Sequence, residues 1–64
     1  MGEEEGMAES QLAALRNMRV LVEKAREFAR DLSYHRRARL EAVLGRALDE
    51  VDQQIADVRS TSRR

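Results

Sequence analysis

The sequence predicts an all-α chain, an antiparallel two-helix hairpin that completes its core by association, most simply as a homodimeric four-helix bundle. Three observations carry this. Apolar residues recur at helical spacing from Ser10 to Val58. No proline interrupts them. The pattern slips once, at residues 33–37, where Ser-Tyr-His-Arg-Arg holds no large aliphatic side chain.

The first helix is expected over residues 10–32. Ser10 is its candidate N-cap, and the acidic Glu9 suits the positive end of the helix dipole. Its apolar stripe is Leu12, Leu15, Met18, Val22, Ala25, Ala29 and Leu32. Leu21 and Phe28 sit one position before Val22 and Ala29 and widen that stripe. A wide stripe suits a helix that faces more than one neighbour.

The second helix is expected over residues 34–59, with Asp31 or Ser33 as its N-cap. Its stripe is Leu40, Val43, Leu44, Ala47, Leu48, Val51, Ile55 and Val58. Gly45 interrupts the interior at about 1 kcal/mol relative to alanine. It either faces open solvent or marks the close approach of another helix. The flanks read as a flexible acidic segment over residues 1–9 and a frayed basic tail over residues 60–64.

The alternative architecture is one long helix in a coiled coil, about 75 Å at 1.5 Å per residue. Continuing the first stripe past Leu32 lands on Arg36 and Arg39, which do not fit a core. A hairpin with its turn near residues 33–37 avoids that. Folding the chain about Tyr34 brings Arg16 near Asp52 and Arg19 near Asp49, with Leu12 beside Ile55 and Val22 near Ala47.

Composition excludes several classes. At 64 residues the chain is one domain at most, and natural chains this small usually add a disulfide, a metal or a partner. It has no cysteine and one histidine, so no disulfide, metal or cofactor is expected and association remains. Twelve basic residues balance twelve acidic ones, which argues against a dedicated nucleic-acid binder. No apolar run approaches the roughly 20 residues that span a membrane. The opening Met1-Gly2 fits a myristoylation signal, but Gly6 stands where that pattern needs Ser or Thr. A cytoplasmic protein with no membrane partner is expected.

No catalytic constellation is legible, and no enzyme is expected. The hydroxyls of Ser10, Ser33, Tyr34, Ser60, Thr61 and Ser62 fall at caps or tails. His35, beside Tyr34 and near Asp31, is one acid–base group without a pocket. A Glu-x-x-His metal motif is missing, since Leu32 stands three residues before His35. Glu23, Glu27 and Asp31 form a row but alternate with Lys24, Arg26 and Arg30, as a solvated face does.

The residues expected to carry function are therefore the apolar ones. Leu12, Leu15, Met18, Val22, Leu44, Leu48, Val51 and Ile55 are the expected interface, and Leu21, Phe28 and Val43 serve a second one. Tyr34, His35, Arg36, Arg37 and Arg39 form a possible anion-binding patch, to which Arg26 and Arg30 would add. Residues 49–57 are acidic, so the hairpin is electrically two-ended, which favours head-to-tail or antiparallel self-association. The expected function is a small adaptor, chaperone or regulatory subunit that binds itself or another helical protein. The alternative is a dimeric nucleic-acid-binding regulator that uses the arginine-rich turn.

Two resemblances are partial. In size and expected shape the chain is similar to the small plasmid-copy-control proteins, whose hairpins dimerise into four-helix bundles and bind RNA; no sequence motif is shared. Residues 44–49, Leu-Gly-Arg-Ala-Leu-Asp, resemble the signature helix of small sporulation-control phosphatases, but Gly45 stands where that family has serine. Neither identifies a family.

Overall fold

The computed structural model describes residues 2–62, with side chains described for 6–61. It consists of α1 (Gly2–Ala29) and α2 (Tyr34–Ser62), packed along their lengths as a hairpin. Each helix has the length expected of about 28 residues, roughly 42 Å, and the molecule is a rod of 51 × 14 × 9 Å. Its radius of gyration is 15.0 Å, against about 11 Å for a compact domain of this length.

The helices close on a single seam. In α1 the residues turned toward α2 are Ala8, Leu12, Leu15, Arg19, Val22, Ala25 and Ala29. In α2 they are Glu41, Leu44, Leu48, Val51, Ile55 and Val58. Their steps alternate four and three over most of both helices, the 3.5-residue period of an antiparallel coiled coil. Among the described residues only Ala29, Leu48 and Val51 are buried outright. The core is one side chain deep because two helices offer each other one stripe and no third wall.

Several boundaries differ from the sequence expectation. Helix α1 begins at Gly2 rather than Ser10. Met7, Ala8 and Glu9 are good helix formers, and Ala8 continues the seam by one turn. Helix α2 runs to Ser62, past Arg59. Of the terminal segments expected at residues 1–9 and 60–64, Met1, Arg63 and Arg64 lie outside the described residues.

The turn lies at residues 30–33 rather than 33–37, and Tyr34 to Arg37 already belong to α2. The N–H groups of Arg30, Asp31 and Leu32 donate to the carbonyls of Glu27, Phe28 and Ala29 at 3.2, 3.1 and 3.1 Å. This three-residue spacing tightens the helix end and satisfies carbonyls that would otherwise be orphaned. The Ser33 carbonyl then accepts the first bond of α2, from the Arg37 N–H at 2.8 Å. Ser33, not Asp31, is therefore the N-cap position. No residue takes a positive φ among the described residues, so the turn needs no glycine.

Gly45 meets nothing that would obstruct a side chain: a Cβ built there has no neighbouring atom within 4 Å. The close approach of another helix is absent within the chain. Gly45→Ala should stabilise the hairpin by about 1 kcal/mol through helix propensity, read as a higher urea midpoint at unchanged slope.

Candidate functional site

Beside the seam, the residue before each seam position forms a second row. In α1 this row is Met7, Gln11, Ala14, Met18, Leu21, Ala25, Phe28 and Leu32, again in alternating steps of four and three. Leu32 lies just past the helix end. In α2 the equivalent row is Arg36, Leu40, Val43, Ala47, Glu50, Gln54 and Asp57. One residue is about 100° of helix rotation, so these rows flank the seam, and the half-buried Ala25 alone stands in both.

One ion-pair network shows how the rows are placed. Arg19 sits on the seam. Its Nη1 reaches Glu23 Oε1 at 2.6 Å and its Nε reaches Asp52 Oδ1 at 2.9 Å. Glu23 and Asp52 each follow a seam residue by one position. The rows that follow the seam in the two helices therefore share one side of the hairpin. The rows that precede it share the other.

That other side is apolar over the half nearest the turn. Phe28 and Leu21 are 74% and 66% exposed, and Met18, Leu32, Leu40 and Val43 are exposed beside them. Leu21, Phe28 and Val43, expected at a second interface, fall together on this strip. Met18, Leu32 and Leu40, which spacing placed on the inner stripes, belong to the strip as well. Leu15 and Val22 fix the seam so that Arg19, not Met18, lies between them; its long stem spans the groove while the charged head stays at the edge. The expected inner residues Leu12, Leu15, Val22, Leu44 and Ile55 are half-buried, with Leu48 and Val51 buried. Toward the open end the α2 row turns polar, and Gln54 Nε2 donates to Glu50 Oε2 at 2.8 Å.

The exposed area has a scale. The hairpin presents 5584 Å² to solvent, whereas a compact 7.4 kDa chain presents about 4,200 Å². The excess, roughly 1,400 Å², exceeds the approximately 800 Å² per partner that a standard interface covers.

The basic turn end is a looser assembly. Tyr34, His35, Arg36, Arg37 and Arg39 are all exposed. The Tyr34 and His35 rings meet edge to face with centroids 5.6 Å apart. Arg37 Nε bonds Glu41 Oε2 at 3.2 Å. Arg26, Arg30, Arg36 and Arg39 carry no ion pair among the described residues. These cations ring a convex end and enclose nothing.

The chemistry available elsewhere is sparse. Among the described residues no three His, Asp or Glu side chains gather as a metal site. Ser10 helps line a shallow, open depression with Gly6, Met7 and Gln11. No described helix is long and apolar enough to cross a membrane. The chain matches no family model, no curated protein and no solved structure.

The register differs from the sequence expectation by one turn of α2: Arg19 pairs with Asp52, not Asp49. The Asp52 hydrogen bond, then the charges of Asp52 and Glu23, hold the Arg19 guanidinium above its ordinary pKa. The pair is half-exposed, so salt screens it. Asp52→Asn should lower the urea midpoint slightly at low ionic strength, and the difference should vanish in molar salt.

Proposed function

We propose that this protein is a helical interaction module whose binding surface is the strip of Met18, Leu21, Phe28, Leu32, Leu40 and Val43, and that it acts as a small adaptor, chaperone or regulatory subunit. The observation that carries this reading is the exposure of six large apolar side chains on one side of a two-helix rod. Apolar residues scattered singly need no explanation, but a contiguous patch rimmed by charge marks an interaction surface. Phe28 is the natural anchor, since aromatic side chains dominate interface energetics. No catalytic step enters this reading. Leu21 and Phe28 contribute little to the seam, so Leu21→Glu with Phe28→Glu should leave helicity by circular dichroism intact and abolish association. Retained association would refute it.

A second reading, nucleic-acid binding at the turn end, is favoured by the four arginines there that lack ion pairs. It requires an affinity that falls steeply with salt and is lost on replacing Arg36 and Arg39. Retention indifferent to both removes it.

A further inference from the structure

We infer that the occupant of the apolar strip is a second copy of this chain, docked antiparallel about a two-fold axis that passes near Met18 and Ala47. This rests on the strip being a binding surface and adds what covers it and in which direction.

Charge gives the first argument. Residues 34–47 of α2 carry Arg36, Arg37, Arg39 and Arg46 against Glu41, a net of +3. Residues 48–61 carry Asp49, Glu50, Asp52 and Asp57 against Arg59, a net of −3, which Arg63 and Arg64 in the sequence reduce to −1. At the N-terminal end of α2 this polarity is the reverse of what an isolated helix favours, whereas Arg59 in the last turn suits the negative end of the dipole. Cations crowd the positive end of the dipole, and the first turn holds no acid. Helix α1 does not compensate, since its N-terminal part is acidic beside the acidic part of α2, with Glu9 and residues 3–5 all carboxylates. A second α2 running the other way does compensate. A parallel copy would instead set arginine end against arginine end.

Spacing gives the second argument. An antiparallel copy of α1 on the strip sets Met18 against itself, Leu21 against Ala14, Ala25 against Gln11 and Phe28 against Met7. Large residues meet small or flexible ones from Met7 to Phe28. On α2 the same operation sets Ala47 against itself, Leu40 against Gln54 and Arg36 against Asp57, with Arg46 near Asp49. Val43 meets the aliphatic stem of Glu50. Met18 lies eleven residues before the end of α1 at Ala29, and Ala47 thirteen after the start of α2 at Tyr34, so both centres fall in the middle part of the rod.

The test uses the full chain. Light scattering should give twice the 7.4 kDa protomer mass. Because the chain has no cysteine, Met18→Cys and Ala47→Cys should each cross-link copy to copy under mild oxidation. Spin labels on a Tyr34→Cys variant should lie about 40 Å apart, twice the distance from mid-rod to turn. A parallel dimer would bring them to within roughly 15 Å. Arg36→Asp alone should weaken the dimer roughly three- to tenfold, and adding Asp57→Arg should restore it. Within one chain these positions are 21 residues apart on one helix, so rescue must act between copies. Arg36→Asp also improves the α2 dipole, so weakening cannot be mistaken for unfolding. A helical monomer, close turn labels or failed rescue would overturn the inference while leaving the strip free for another protein. A dimer indifferent to Leu21→Glu and Phe28→Glu would overturn both.

Discussion

Everything in this molecule depends on a single seam closed by small and medium side chains. Leu12, Leu15, Val22 and Ala29 from α1 meet Leu44, Leu48, Val51 and Ile55 from α2. Two helices at this spacing exclude water along one line only. The seam is therefore both the fold and its limit: it orients the chain as a rod, yet leaves only Ala29, Leu48 and Val51 buried. Chains this small rarely stand on one thin core. The strip beside the seam is the remaining apolar surface available to deepen it.

Arg19 gives the seam its handedness. An arginine at a core position costs packing, but a polar residue there selects register and partner. Its head reaches Glu23 and Asp52 on one side. That side is lined by charged and small residues apart from Val20, while the opposite side holds Leu21 and Phe28. The hairpin thus has two different broad faces, and only one has reason to avoid water. At its N-terminal end the charge pattern of α2 runs against the helix dipole.

The sequence by itself determined the helices, and the slip at residues 33–37 favoured an antiparallel pair over one long coiled-coil helix, because Arg36 and Arg39 do not fit a core. It also marked Leu21, Phe28 and Val43 as surplus to one interface, since a stripe wider than 100° cannot all face one neighbour. Three things were decided only by the tertiary structure. The turn fell at residues 30–33 because three short backbone bonds close it without a positive φ, which leaves no glycine to read. Met18 left the inner stripe because Arg19 takes the seam position between Leu15 and Val22, Leu32 because α1 ends at Ala29, and Leu40 because Glu41 and Leu44 carry the seam beside it. The pairing of Arg19 with Asp52, one turn beyond Asp49, follows from where the leucines interlock. Periodicity along one helix gives the face, but which level of the second helix lies opposite is settled by packing between them.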